Sequence, residues 1–515
     1  MSSVRALPAT AIRPRHFDRD DVVVHEGLFS LVNSATTPRS AWLEDLLALG
    51  DVLDSSGLPY RLMRGNDGLP FIAVDKAMIA ELSTVLADAF AQEPFYVKTL
   101  DKRGTPPRLV AGGIIAPYPR AAVFSFFRPR VSASGSLRYG SRSGVRLELW
   151  KIGTEQITAP AENVLMRKKL PLSEAIDDDV TLYGRTWPTF AGMFEPLVSD
   201  IRFDVDIVFS WVDGTDIDFQ RARAARMASY VVGEGDDAPA RYRQIDELKY
   251  ALRSVYMYAP WVRHIYIVTD SPRPRWLAEH PDVTVVRSED HFRDLAVLPT
   301  HNSHAVESQL HRIPGLSEHF LYSNDDMFFG RDVDPNVFFS PGGVTKFIEA
   351  TTRIGMGDSN SARSGFENAA RVNRALLRER FGAVTTRHLE HAATPLRKSV
   401  MSELEQEFEP EFRATAAARF RSATDISVTN SLYHYYALMT GRAVVQENSS
   451  VKYVDTTMNQ GLKDMRELLK NRAFDFFCLN DGSFPEISAE DRAKAVLGFL
   501  DEYYPIAAPW EVEEQ

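Results

Sequence analysis

Two stretches of this chain place carboxylates directly behind apolar runs. Asp213-Gly214-Thr215-Asp216 follows Ile207-Val208-Phe209, and Asn324-Asp325-Asp326 follows Phe320-Leu321-Tyr322. In α/β enzymes a strand that ends in acidic residues delivers them to the sheet edge where ligands and metals bind. Gly214 permits a tight turn there, its neighbours' N–H groups can meet an anion, and the acids can hold a cation or ribose hydroxyls. An ordinary Asx-turn after a strand accounts for the same four residues. Asp325 and Asp326 carry more information, because adjacent carboxylates repel and need a cation, a donor or solvent. Mg²⁺, or Mn²⁺, takes oxygen ligands and bridges carboxylates to substrate phosphates. A turn that caps a helix is the competing explanation. Asp206 is unusual in preceding residues expected to be buried.

Other groups suit phosphate chemistry. His388 and His391 would share a face if helical, although Pro395 stands close by. Imidazole accepts a hydroxyl proton near neutral pH. Arg419-Phe420-Arg421, with Asp425 nearby, offers guanidinium donors that grip phosphoryl oxygens bidentately. A surface ion pair explains any single arginine equally well. The chain has no Walker segment, GxGxxG fingerprint or HExxH helix, which disfavours ATPase, dehydrogenase and metalloprotease readings.

The elements that would position these groups fall into sections. Residues 1–195 read as a helix over Trp42–Leu49 stopped by Gly50, then a small α+β accessory domain ending near 160, then a linker. Residues 196–345 alternate strands and helices: strands at Val205–Val212, Ile265–Val268, Val283–Val286 and Phe320–Tyr322, and helices at Ile245–Tyr258 and Trp276–His280. That alternation predicts a three-layer α/β core with a largely parallel sheet. Residues 346–500 hold a Gly- and Arg-containing loop and a mostly helical completing region. Residues 501–515 read as a tail that frays from Trp510 onward.

Length and composition set the outer limits. The 515 residues allow two to four domains, and a formal charge of −11 argues against a nonspecific nucleic-acid binder. One cysteine, Cys478, rules out a disulfide framework and Cys-rich metal sites, and its apolar flanks predict a buried small residue. No stretch approaches the ~20 apolar residues of a membrane span, and the first residues lack a signal-peptide core. A cytoplasmic protein is expected, with peripheral contact to a membrane or a polysaccharide-assembly complex, and homo-oligomerisation, left open.

The motifs together resemble the Stealth family of sugar-phosphate transferases. The matching stretches are Asp206–Asp216, Asp246–Val255, Ala259–Asp270, Leu298–Thr300, His311–Ile313 and Leu321–Gly330. His388–Glu407, Arg421–Met439 and Phe477–Asp481 continue the match, so it covers about residues 204–485 in order. The resemblance implies a GT-A-related core that binds a nucleotide-sugar donor and a glycan acceptor and depends on Mg²⁺ or Mn²⁺. It implies transfer of a sugar-1-phosphate from a UDP-sugar (UDP-GlcNAc leads) to a glycan hydroxyl, as in bacterial capsule and exopolysaccharide phosphotransferases, with UMP released. By the same resemblance His391 is the general base, with Glu247 an alternate, and Arg421 is catalytic. Asp206, Trp211, Asp213, Gly214, Thr215, Asp216, Arg253 and Asn324 belong to the donor site, and Asp325 and Asp326 to the metal. Asp213 and Asp270 depart from the family's animal members, which often carry Asn at both positions. A metal-dependent glycosyltransferase releasing UDP, or an inactive carbohydrate-binding protein, are the alternatives.

Overall fold

The computed structural model describes residues 17, 19–114, 120–214, 245–482 and 485–512. The chain divides into two compact units, Met1–Leu197 and Val198–Gln515. Among the described residues no helix is long and apolar enough to cross a membrane.

The first unit packs the helices Pro38–Ser56 and Ile79–Ala89 with an eight-stranded mixed sheet. Trp42, Leu46, Leu49 and Leu53 recur at helical spacing and are buried on one face. Thr37 caps this helix by accepting from Ser40 N at 3.2 Å. Gly50 does not stop it, contrary to the sequence reading. A Cβ at Gly50 would lie 2.6 Å from the Trp187 ring, so the glycine serves close packing inside the helix. Trp187, fully buried, comes from a hairpin of Asp177–Leu182 and Arg185–Phe190, and the α+β body therefore runs well past residue 160. On the helix Pro38–Ser56, Asp45 accepts from Arg128 N (2.9 Å) and Nε (2.7 Å), and from Arg130 Nη2 (3.0 Å) and Nη1 (3.2 Å).

The second unit is built on a five-stranded sheet. Its strands are β1 (Val205–Ser210), β2 (Ile265–Val268), β3 (Val283–Val286), β4 (His319–Asn324) and, later in the chain, β6 (Thr394–Arg397). The order is β3-β2-β1-β4-β6, with the first four parallel and β6 antiparallel to β4. Helix α1 (Glu247–Tyr258) connects β1 to β2. After β3 the chain returns to the other side of β1, so β1 and β4 flank a topological switch point. A second sheet joins β5 (Met327–Phe329), β7 (Val451–Asp455) and β8 (Phe476–Asn480) in the order β5-β8-β7. Helix α2 (Gly365–Phe381) lies between β5 and β6 in the chain. The core beneath the larger sheet gathers Val208, Tyr266, Phe320 and Tyr322 with Val400, Met401, Leu404 and Leu432, all buried.

Two segments differ from what their sequences predict. Trp276–His280 is not helical: Leu277 bridges to Glu511 and His280 to Val283, and the flanking Pro274 and Pro281 keep the segment extended. Trp510 to Val512 do not fray: Trp510 is 4% exposed, and the last residues of the expected tail lie outside the described residues. Ala278 N donates to Trp510 O at 2.8 Å, and Val512 N to Trp276 O at 2.9 Å, so each segment supplies the other's backbone partners.

Candidate active site

The carboxy-terminal ends of β1 and β4 lie side by side, paired through Ser210 and Asn324. Beyond β1, Trp211 N donates to Val268 O at 3.1 Å and Asp213 N to Ser271 Oγ at 2.8 Å, which fixes the turn that leads to Gly214. Trp211 is buried and its Nε1 has no hydrogen-bond partner among the described residues. Thr215 and Asp216 lie outside the described residues. Beyond β4, Asn324 Oδ1 accepts from Tyr322 OH at 3.0 Å. Asp206 does not join this group. It sits at the opposite end of β1, four residues from Ser210, or ~13 Å at the usual strand rise. There it is fully buried and accepts from Arg263 Nε (2.8 Å) and Nη2 (2.6 Å) and from Ser317 N (2.7 Å). It anchors the strand's start.

Asp325 and Asp326 lie in the sharp turn between β4 and β5, with Glu247 at the start of α1. Asp246 enters that helix at φ 57°, in the left-handed region that non-glycine residues adopt at a cost of order 1–3 kcal/mol, usually near functional sites. Burial, then the charges of Asp326 and Glu247, push the Asp325 carboxyl well above the usual carboxylate range. The Asp326 carboxyl is also raised by burial, against the opposing pull of His391. Burial pushes Glu247 up to about 7, with the Asp326 charge adding to the rise and Arg492, Nη2 of which lies 4.0 Å from Oε1, opposing it.

Cys478, in the middle of β8, ties these acids to the histidine. Its thiol donates to Asp326 Oδ2 at 3.4 Å, and its Sγ lies 3.9 Å from His391 Nδ1. Asp326 Oδ1 is buried with no hydrogen-bond partner among the described residues. His391 follows the strand Arg387–Leu389 in a turn, not a helix, so His388 and His391 do not share a helical face. The Tyr453 ring of β7 meets the imidazole edge-on at 5.2 Å.

Arg421 approaches the same strand end from the helical region. Its Nη2 donates to Ser303 Oγ at 2.8 Å, and its charge reaches Tyr322, whose hydroxyl holds Asn324. Asp425 shapes the loop that carries it, accepting from Ser422 N (2.9 Å), Ser422 Oγ (2.9 Å) and Asn302 Nδ2 (2.8 Å). Gly365, the first residue of α2, leaves room for the arginine stem: a Cβ there would lie 2.8 Å from Arg421 Cδ. Arg253 does not join this group. Its Nε and Nη2 donate to Glu511 at 2.7 and 2.6 Å and its Nη1 to Tyr504 O at 2.8 Å, so the guanidinium is spent on the carboxy-terminal segment.

Asp325, Asp326, Glu247, His391, Asn324 and Arg421 are thus linked around the end of β4, with Trp211 and Asp213 at the neighbouring end of β1. Cys478, Tyr453, Asn302 and Arg492 belong to this neighbourhood and escaped the sequence reading. For Cys478 the available signal was its place two residues before Asn480-Asp481, at the end of an apolar run. Arg492, which ion-pairs with Asp481 and donates from Nε to Thr456 Oγ1 at 2.7 Å, gave none. Among the described residues no three His, Cys, Asp or Glu side chains converge as a ready metal cage. The orphaned Asp326 Oδ1 and the crowded acids nevertheless fit a hard divalent cation that takes most of its ligands from phosphate and water.

Models of four conserved regions of Stealth proteins match the chain: conserved region 1 at residues 203–231, region 2 at 241–347, region 3 at 390–438 and region 4 at 466–515. The exopolysaccharide phosphotransferase CpsY of Mycobacterium tuberculosis is 58% identical over 490 residues, covering 95% of this chain and 92% of that protein. An exopolysaccharide phosphotransferase of Nocardia farcinica is 53% identical over 471 residues, covering 92% and 87%. Among solved structures, galactosyltransferase LgtC in complex with donor and acceptor sugar analogues aligns with a TM-score of 0.29 at 12% identity, covering 59% of this chain and 96% of that one.

Proposed function

The chain belongs to the Stealth family, and on that footing we propose that it is an exopolysaccharide phosphotransferase. In this reading it moves a sugar-1-phosphate from a UDP-sugar, UDP-GlcNAc in first place, to a glycan hydroxyl. The carrying observation is that Asp326, His391 and Arg421, from three distant parts of the chain, are joined to one strand end, the first two through Cys478 and the third through the short helix Ser303–Glu307 to Tyr322 and Asn324. Kinship with GT-A folds is part of the proposal, supported by the parallel order β3-β2-β1-β4 with an antiparallel neighbour. The nucleotide sugar would be met in the cytoplasm.

The acceptor hydroxyl attacks the sugar-bearing phosphorus. Its oxygen forms the new O–P bond while the bond to the bridging oxygen breaks, and UMP leaves with that electron pair. His391 takes the hydroxyl proton. Arg421 donates to the equatorial oxygens, where charge grows. Trp211 and the Asp213-Gly214 turn line the donor's approach, and Asn324 faces the diphosphate; Thr215 and Asp216 are assigned to the donor by the family resemblance alone. Asp325 and Asp326 would hold Mg²⁺ or Mn²⁺, which offsets diphosphate charge when bound. Glu247, protonated in part near neutrality, is the second candidate for proton transfer.

Incubating the purified chain with a panel of UDP-sugars, Mg²⁺ and glycan acceptors, then identifying the products, tests the reading. UMP with a phosphodiester is the expected outcome. UDP with a simple glycoside would replace phosphotransfer by ordinary glycosyl transfer.

A further inference from the structure

The groups described so far serve the donor and the proton, and none of them seats the acceptor. A cleft of about 820 Å³ lies beside them, within the ~300–1,000 Å³ usual for small-ligand sites. Its walls carry Glu349, Arg353, Arg387, Glu390, Gln446 and Glu447. Glu390 directly precedes His391. Val451, which also lines the cleft, opens strand β7. Tyr453 is two residues further on and therefore on the same face of the strand. Its ring abuts the His391 imidazole at 5.2 Å while the residue stays 42% exposed. Through Glu390 and Val451 the cleft thus borders the turn and the strand that carry the imidazole and the Tyr453 ring.

The chemistry of the walls is specific. Three carboxylates face two guanidiniums and an amide, which together offer acceptors and donors at short intervals without a dominant charge. Sugar hydroxyls both donate and accept, so this lining suits them, whereas a polyanion would meet the carboxylates. The groups are also held in place: Tyr435 OH donates to Glu349 Oε1 at 2.8 Å, and Arg353 Nη1 to Thr386 Oγ1 at 3.3 Å. The tyrosine hydroxyl of Tyr453 accepts from Asn480 Nδ2, which orients its ring. An exposed, oriented aromatic face beside polar walls matches a sugar's apolar face and hydroxyl edge.

We propose that this cleft binds a neutral oligosaccharide, the acceptor, with its terminal sugar against Tyr453 and a hydroxyl presented to His391. The proposal rests on the transferase reading for the identity of the ligand as acceptor.

The test uses the full chain and neutral hexasaccharides of α-1,4-glucan, β-1,3-glucan and α-mannan, with calorimetric binding and a hydrogen-exchange footprint. At least one hexasaccharide binds, with protection at 386–390 and 445–453. S449W, at a residue that lines the cleft, weakens binding by about tenfold or more, the equivalent of about 1.4 kcal/mol. No binding by any of the three, or a footprint elsewhere, overturns the proposal. If S449W does not fold, the parent footprint decides alone. Release of UDP in place of UMP would sink the phosphotransfer reading while leaving saccharide binding to the cleft intact, so the two failures are distinct.

Discussion

Asp45 in the first unit and Asp326 in the second are both hemmed in by protein, and the chain treats them in opposite ways. Asp45, 1% exposed, receives four hydrogen bonds from Arg128 and Arg130, which use up both its oxygens. Among the described residues, Asp326 receives a weak thiol donor on Oδ2, has no partner on Oδ1, and shares its surroundings with Asp325 and Glu247. Asp206, gripped by Arg263 and Ser317, is solved like Asp45 although it lies in the second unit. The lesson is that a carboxylate with its partners supplied by the protein holds the fold, and one left short of partners waits for something from outside.

The contrast can be broken first at the histidine that Asp326 faces. His391→Ala should lower turnover by ~10²- to 10⁴-fold with donor affinity little changed. Turnover near that of the parent would remove the general-base role. At the paired carboxylate the effect is on stability: Asp45→Ala should cost ~3–5 kcal/mol in denaturant unfolding, because buried Arg130 is left with the half-exposed Glu44 as its one remaining carboxylate among the described residues. An unchanged midpoint would show that the network contributes nothing.

Glu247 sharpens the comparison through pH. Its folded pKa of about 7 exceeds the ordinary 4.5, so between those values the native state binds more protons than the unfolded one. Stability therefore falls as pH rises through that window. Glu247→Gln should be the more stable protein at pH 8, by up to about 3 kcal/mol, and lose that advantage below about pH 4.5. Thermal unfolding across the range checks it, and parallel curves would reject the shift. The smallest effect is expected at Arg253. Arg253→Met should cost ~1.5–3 kcal/mol in stability, from hydrogen bonds to a charged group, and leave donor KM within about twofold. A rise in KM without loss of stability would return this arginine to the donor site.

The sequence made some of this legible and hid the rest for physical reasons. Strands β1 to β4 could be read because apolar runs bounded by Pro, Gly and acidic residues are local signals. Asp325 and Asp326 were found because they end such a run. Asp206 was misjudged because an acid next to an apolar run can lie at either end of a strand's function, and its partner Arg263 is 57 residues away. Arg253 and the carboxy-terminal segment were misread together: Glu511 is 258 residues from Arg253, and neither residue hints at the other. Gly50 looked like a helix stop because the Trp187 ring it accommodates arrives from a hairpin 137 positions on in the chain. Cys478 was rightly expected to be buried, and its contacts with Asp326 and His391 needed β5, β8 and the His391 turn to be assembled first.

The central claim is that the unsatisfied acids and the Arg421 and His391 side chains serve one diphosphate. The most direct measurement is a crystal structure of the chain with Mn²⁺ and a non-hydrolysable UDP-sugar analogue, the ion located by its anomalous signal. The account predicts Mn²⁺ at about 2.1–2.2 Å from an Asp326 or Asp325 oxygen, bridging to the diphosphate, with Arg421 on a phosphate oxygen and His391 open to the phosphorus. An analogue bound elsewhere, with Asp326 Oδ1 still lacking a partner, would contradict it.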